Sequence, residues 1–531
     1  MSSGITSINT LGLAGMQASQ MGLTNVATNI SGASVEGFHR REVHPLMISA
    51  STNPLVQGGT VIIDSMVRSY SALVSTQYLA NHAKVKETQT VNSAAQIMDR
   101  MLVDESSGLT AVLNGFFTSA ADLSADPASG TARTAFATTS VEIADRIRNL
   151  AGTIDETRRQ ALFQLQGVVD AVNEKAEALA RVNLLIRGSS AYGKPLPSAD
   201  LLDERDRLSG ALSDLMGTSI DTSDLGESTL RFDGVTLVQG GQSARLRLQV
   251  EQTTGLPTGL FDISIPRGDG NPNQEFTPVV TLRGGGVVQG EFGGLTRYAA
   301  GAESWLQKLD ELAMNLVRAG NPLEGDPQRD LEPQQWYSKI TDPDLDPPGS
   351  LQKLGARDVG FDGQQVFFDG VFRIKGFVNS EGKFVDPADP ETTREFIQSL
   401  RPSLTLQSNV SSGALVPWAR SANLEDPPPL DDVAADQSFA ILLSGKRAST
   451  SREWSEWVSG VSADMARWRA EEAAYVSVDT SLREQKEQIS GVDLDEEATN
   501  LLRFQQLYQA NSSVIQASAR MFDVMLSMSS R

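Results

Sequence analysis

The chain holds 531 residues, 40 % hydrophobic, 21 % charged and only 6 % aromatic, a length and composition that predict roughly two to four domains built from long, slim elements. Its 45 basic and 66 acidic residues give a formal charge of −21, which repels phosphate backbones and anionic lipid heads and argues against nucleic-acid or membrane-surface partners. Cysteine is absent, so disulfides, thiolate metal sites and cysteine nucleophiles are excluded.

Catalytic chemistry finds little to stand on. The histidines are His39, His44 and His82, and none belongs to an HExxH helix. The sequence has no GxSxG elbow and no GxxxxGK[ST] loop. The Gly284-Gly285-Gly286 run is followed by no lysine and reads as a strand-linking loop. Asp342, Asp344 and Asp346 imitate a calcium loop, but Pro347 stands where that loop needs glycine and Lys353 where it needs a bidentate glutamate. Paired carboxylates such as Asp203 and Glu204 read as a wet helix face. No enzyme activity, catalytic residue, cofactor or metal site is expected.

The first element is a helix of unusual make-up. No side chain from Met1 to Val35 is charged; Glu36 is the first. A signal peptide would need a basic start and a continuous apolar stretch, and a membrane span about 20 apolar residues; neither pattern is present. Leu13, Met16, Leu23, Ala27 and Ile30 instead recur at spacings of three and four or their sums. Gly4, Gly12, Gly15 and Gly22 each weaken an isolated helix by about 1 kcal/mol. Such a helix needs neighbours on several sides.

Residues near 70 to 220 read as helix-rich. Leu109, Val112, Leu113, Phe116 and Phe117 share one face, followed by Ile143, Ile147 and Leu150, and then by Leu162 to Ile186. Leu201 to Leu215 is an amphipathic helix laced with ion pairs. From 228 to 282 the period shifts toward two, with strand candidates at 229–232, 235–238, 246–250 and 261–265 separated by Gly, Pro and Asp. Helix resumes near Tyr298 to Val317. Residues 321–432 are rich in proline and aspartate, with short strand candidates at 365–368 and 371–377, and read as an outer β insertion.

A heptad run then carries the chain back: Trp454, Val461, Trp468, Tyr475, Leu482 and Ile489. Ser490-Gly491 breaks it, and Asp493 with Glu496 forms a capping box for a last helix. In that helix Leu494, Leu501, Tyr508, Ile515 and Phe522 fall seven apart, and nothing between Arg503 and Arg520 is charged. A helix without charge on its outer face suits packing inside an assembly better than facing water. The expected fold is mainly α with β-rich insertions: a nested multi-domain rod, its terminal helices pairing as a coiled coil, with a helical bundle domain and an outer β domain. The expected divisions are 1–40 with 491–531, 41–320 with 433–490 (β-rich near 228–290), and 321–432.

Both ends carry a recognisable pattern. Asn25, Thr28-Asn29-Ile30, Ser34, Gly37-Phe38 and Arg40 resemble the N-terminal box of the flagellar rod, hook and hook-associated axial proteins. Ser490-Gly491-Val492-Asp493-Leu494-Asp495-Glu496-Glu497, with Asn500, Leu501, Arg503-Phe504-Gln505, Tyr508, Ala510-Asn511 and Val514, is similar to the same family's C-terminal helix. Thr28, Gly32 and Phe38 depart from the usual residues of the box. Inside the chain, 109–126, 201–215 and 293–321 are similar to the hook-associated branch.

The resemblance implies a structural subunit at the hook–filament junction, extracellular and exported without a cleavable signal peptide. Its implied partners are copies of itself, hook protein, a second junction protein on the filament side and an export chaperone. Alternatives are a hook or distal-rod subunit with an enlarged outer domain, or a secreted hydrolase with an axial docking module. The assembly interface expected from the two boxes and stripes comprises Leu13, Met16, Leu23, Ala27, Asn29, Ile30, Gly37, Phe38, Leu494, Leu501, Tyr508, Ile515 and Phe522.

Overall fold

The computed structural model describes residues 2–35, 37–49, 59–103, 108–126, 129–191, 197–252, 255–264, 280–283, 288–320, 372–373, 401–402 and 443–529. The Gly284–Gly286 loop, the Asp342–Asp346 run and most of the 321–432 insertion lie outside these residues. The eight helices described below are α1 Ser2–Gly32, α2 Ala72–Val103, α3 Leu109–Ala125, α4 Gly130–Ala191, α5 Ala199–Met216, α6 Gly290–Gly320, α7 Arg447–Ser490 and α8 Leu494–Ser529. The mainly α character with small inserted sheets therefore holds. The chain divides into two compact units, one of 1–89, 165–294 and 471–531, the other of 90–164 and 295–470. Every boundary between them falls inside a helix.

In the first unit, strands β1 (Arg41–Ser49) and β2 (Gly59–Arg68) form an antiparallel hairpin, with a register shift at His44/Pro45 where proline cannot donate to the ladder. Strands β3 (Ser219–Thr222), β4 (Ser228–Phe232), β5 (Val235–Gln239) and β6 (Gln242–Ser243) make a four-stranded antiparallel sheet. Asp233 and Gly234, both with positive φ, close β4 onto β5 as the two-residue Asp-Gly turn that suits the twist of a hairpin. Strands β7 (Arg245–Val250), β8 (Pro257–Ser264) and β9 (Val280–Arg283) form a three-stranded sheet. The change of period read near 228–282 thus marks real strands.

Two asparagines on α4 fasten those sheets to the helix. Asn173 donates to the Leu246 carbonyl at 2.9 Å and accepts from its N–H at 2.8 Å. Asn183, fully buried, does the same with Ser228 at 2.8 and 3.0 Å. Each satisfies a strand's backbone pair that would otherwise be buried unbonded. Val169, Val172, Leu179 and Ile186 of α4 are buried in this unit, as are Leu230, Phe232, Phe261 and Phe292, with the Phe261 ring 5.7 Å from Phe232 and 5.1 Å from Phe292 between centroids.

The second unit is a helical core around tryptophan. Trp454, Val461 and Trp468 of the heptad run are buried, as read from the sequence. Trp305 lies 5.7 Å from Trp468 between ring centroids, donates to Asp464 at 3.0 Å, and accepts at its carbonyl from Trp457 at 2.9 Å. Trp454 donates to Thr110 at 2.7 Å. Each indole N–H in these bonds finds the polar partner a buried tryptophan needs. In the first unit the same run loosens: Tyr475 and Leu482 are half-buried and Ile489 is exposed.

Candidate assembly interface

Helix α1 pairs with α8 in antiparallel fashion, and glycine decides where. A Cβ built on Gly12 would stand 2.8 Å from Ile515 Cγ1, on Gly15 2.6 Å from Asn511 Oδ1, and on Gly22 2.5 Å from the Phe504 ring. Real side chains do not approach so closely, so the seam closes only because these positions carry none. The buried α1 positions are Gly12, Ser19, Gly22, Asn25, Val26, Asn29 and Gly32, spaced at three and four or their sum apart from the adjacent pair Asn25-Val26. Gly12, Gly15 and Gly22, which weaken the isolated helix, are therefore the ones that let it meet its partner.

This seam sits one residue behind the apolar stripe read from the sequence. Leu13 is 47 % and Ile30 39 % exposed, Ala27 is exposed, and Met16 and Leu23 are half-buried. On α8, Ile515 lies against Gly12 and Leu501 is half-buried, while Leu494, Tyr508 and Phe522 are exposed. The α8 side chains set against α1 are Phe504, Asn511 and Ile515, so of the α8 heptad positions only Ile515 lies on the seam, and the α1 stripe flanks it.

Below the seam lies a polar joint that positions the hairpin. Asn29 brackets Arg41, donating to its carbonyl and accepting from its N–H, both at 2.9 Å, and Asn25 adds a third bond to that carbonyl at 2.7 Å. Phe38 packs on Gly32 and lies 5.0 Å under the Arg41 guanidinium, and Gly37 turns the chain with φ of +80°. Asn29, Gly37 and Phe38 therefore meet in this joint, away from the outward stripe of Leu13, Met16, Leu23, Ala27 and Ile30.

Arg40 spans the break between α7 and α8. Its N–H donates to the Ser490 carbonyl at 2.9 Å, Nε to Glu497 at 2.9 Å and Nη2 to Glu496 at 2.5 Å. Burial alone would lower its pKa, but Glu496 and Glu497 outweigh that and raise it above the ordinary arginine value. Asp493 caps α8 as expected, accepting from the N–H groups of Asp495 and Glu496 at 2.9 and 3.3 Å, whereas the Glu496 carboxylate turns to Arg40.

Asp203 is the second hub, and here the wet-face reading fails. Its side chain is 13 % exposed and takes His39 at 2.9 Å, Arg68 at 2.7 Å and Arg41 at 3.4 Å. Burial pushes its carboxyl up, but the His39 bond and the Arg68 charge together hold it below the usual carboxylate range. Arg68 also reaches Asp206 at 2.8 Å and Arg41 reaches Asp200 at 2.5 Å. Only Glu204 behaves as a wet residue, bridging Arg207 at 2.7 Å. Periodicity alone hid Asp203 and Arg40. The visible signal is the His39-Arg40-Arg41 cluster, which follows a charge-free stretch and needs acidic partners.

Among the described residues no group of three or more His, Asp or Glu side chains could hold a metal, and no helix is long and apolar enough to cross a membrane. What the arrangement offers is a two-helix surface, free of charge along α1 and between Arg503 and Arg520 of α8, on a fixed polar base.

Two family models match the chain. "Flagellar hook-associated protein FlgK helical domain" covers residues 95–326, and "Flagellar basal body rod FlgEFG protein C-terminal" covers 485–528. The chain is similar to Flagellar hook-associated protein 1 of Salmonella typhimurium, 22 % identical over 97 % of this chain and 98 % of that protein. The Escherichia coli protein of the same name is 23 % identical over 97 % and 98 %, and that of Bacillus subtilis 21 % over 96 % and 95 %. Among solved structures, the flagellar hook junction protein FlgK from Burkholderia pseudomallei matches with a TM-score of 0.39 and 20 % identity, over 48 % of this chain and 45 % of that one.

Proposed function

The chain belongs to the flagellar hook-associated protein family, and from that premise we propose that it forms the junction between hook and filament, self-assembling through α1 and α8. Its role is structural rather than enzymatic, and its place is the extracellular flagellum. The observation that carries the assembly reading is the α1–α8 hairpin: two terminal helices paired through glycine, with Leu13, Ile30, Leu494 and Phe522 left exposed and no charge on the facing stretches. Uncharged helices stack against copies of themselves without burying unpaired ions, which is costly.

Residues 1–40 with 491–531 are assigned to the inner tube, 41–320 with 433–490 to the surrounding domain, and 321–432 to the outside. Gly37, Phe38 and Asn29 contribute by setting the hairpin's base, and the outward apolar positions by touching neighbours. Hook protein and a second junction protein on the filament side are the partners in the finished structure. An export chaperone holds the free subunit, which leaves the cell through the flagellar export channel without a cleaved signal.

Deletion of the gene followed by electron microscopy tests this. Hooks bare of filaments, with filament subunits shed into the medium, are expected. A missing hook would make the chain a hook or rod subunit, and intact flagella would leave it outside the axial structure.

A further inference from the structure

A small cavity in the first unit lies where His39, the start of α2 and the end of α7 meet. Its walls include Tyr70, Ser71, Ser75, Lys486 and Ser490, and it has room for about one water-sized ligand. His39 is only 3 % exposed. Its Nδ1 lies 2.9 Å from Asp203, and because a carboxylate only accepts, Nδ1 carries the proton there. That leaves Nε2 for the cavity, where no group among the described residues bonds it. The Ser75 hydroxyl, on a residue 7 % exposed, is likewise without a partner among the described residues. Buried polar groups are costly unless they are bonded, so this pair points to an occupant.

The surrounding groups decide its charge. Acceptors at the end of α7 are taken: the Ser490 carbonyl receives the Arg40 N–H at 2.9 Å, and the Lys486 carbonyl receives the Ser490 hydroxyl at 2.8 Å. At the start of α2, Ser71 accepts from the Val74 N–H on its side-chain oxygen at 3.4 Å and from the Ser75 N–H on its carbonyl at 3.0 Å. The hydroxyl protons of Ser71 and Ser75 remain to meet a ligand. The positive end of the α2 dipole lies here, and Lys486 brings a cation to the wall. Tyr70 sits edge-on to His39 at 5.6 Å and carries the Arg68 guanidinium 5.1 Å over its ring. The acidic group against His39 is Asp203, whose charge also engages Arg68 at 2.7 Å and Arg41 at 3.4 Å. When His39 takes a second proton, its Nε2–H becomes one more donor aimed into the same space.

We propose that this cavity binds a single chloride ion together with a proton on His39. A halide is spherical and little larger than a water, whereas sulfate and phosphate are too bulky for the space. Binding and protonation are linked, because the anion stabilises the imidazolium and the imidazolium gives the anion a charge-assisted bond. Held there, the ion bridges the residue just before the hairpin, the first turn of α2 and the last turn of α7, and so stiffens the joint from which α8 departs.

Chlorine-35 NMR on the full-length chain reads the site directly, since exchange with a bound chloride broadens the line of the free ion. More broadening is expected at about pH 5.5 than at about pH 8.5, on either side of the ordinary histidine range. Bromide should remove the excess, and sulfate at equal ionic strength should not. Ser75→Ala leaves the His39–Asp203 bond in place and suits a helix, and it should lose most of the excess. His39→Gln keeps a donor for Asp203 and should lose both the excess and its pH dependence. Circular dichroism checks that both variants stay helical; if His39→Gln does not, Ser75→Ala decides alone. Broadening that is absent, equal at the two pH values, unchanged in folded Ser75→Ala, or relieved equally by sulfate would overturn the site.

Discussion

Arg40 and Glu497 are separated by 457 positions in sequence and joined by a 2.9 Å hydrogen bond, with the Glu497 side chain only 2 % exposed. That pair ties the end of the N-terminal box to the start of the last helix. It also fixes the angle at the Ser490–Asp493 break, because the Arg40 N–H holds the Ser490 carbonyl. A buried carboxylate left without its cation is heavily penalised.

Arg40→Ala is accordingly expected to destabilise the first unit by about 3 kcal/mol, somewhat less where water reaches the vacated site. Adding Glu497→Gln should recover a large part of the loss, since the uncompensated charge is then gone. A double-mutant cycle by chemical denaturation measures this; additive losses would show that the two groups do not interact.

Glycine at the seam makes a second expectation. Gly22→Leu drives a side chain into the Phe504 ring, where even a Cβ would stand at 2.5 Å. Overpacking of this kind costs about 1–3 kcal/mol. The hairpin has little to resist it, because its buried α1 positions are mostly glycine and small polar residues. Amides of 8–30 and 500–520 should exchange faster than those of the second unit already in the unmodified monomer, and faster still in the variant. Slow exchange there in a verified monomer would contradict this.

Ile515→Asp and Val514→Asp are neighbours with different consequences. Ile515 packs on Gly12, so a carboxylate there separates α1 from α8, exposes both tails to proteases and abolishes assembly. Val514 faces outward, so its substitution leaves the hairpin protected and removes assembly alone. In both, the thermal transition of the second unit should be unchanged. Limited proteolysis of the two variants side by side distinguishes them.

The second unit should lose stability as pH rises through the neutral range. Burial, reinforced by the nearby Asp155 charge, pushes the Asp310 carboxyl up to about 8. Its folded pKa exceeds the unfolded value, so below about pH 4 both states hold the proton and stability is at its fullest. Between about pH 4 and 8 the unfolded chain releases that proton and the folded chain does not, which costs up to about 1.4 kcal/mol per pH unit. Asp310→Asn keeps the shape without the titration. It should flatten the dependence and raise the melting temperature at pH 8; an unchanged slope would remove Asp310 as the cause.

Several elements were legible because their signal is local. The 3–4 spacing at both ends marked α1 and α8, the Ser490-Gly491 break and Asp493 marked the boundary between α7 and α8, and the Asp233-Gly234 turn punctuated the strands. The tryptophan heptads announced a core. What stayed hidden was partner choice. The α1 stripe is more apolar than its glycine-bearing neighbour, and hydrophobicity alone assigns the wrong face to α8. Asp203 looked solvated because its partners, His39 and Arg68, are more than a hundred residues away.

The order of residues by itself determined that this chain would be long and helical, empty of cysteine, and charge-free over its first 35 residues and between Arg503 and Arg520, because composition and spacing act over a few turns. Only the tertiary structure decided which face of each terminal helix is spent inside the molecule and which is left for another. That outcome depends on closest approach between backbones distant in sequence, where the missing Cβ of Gly12 or Gly22 outweighs the attraction of a leucine one position away.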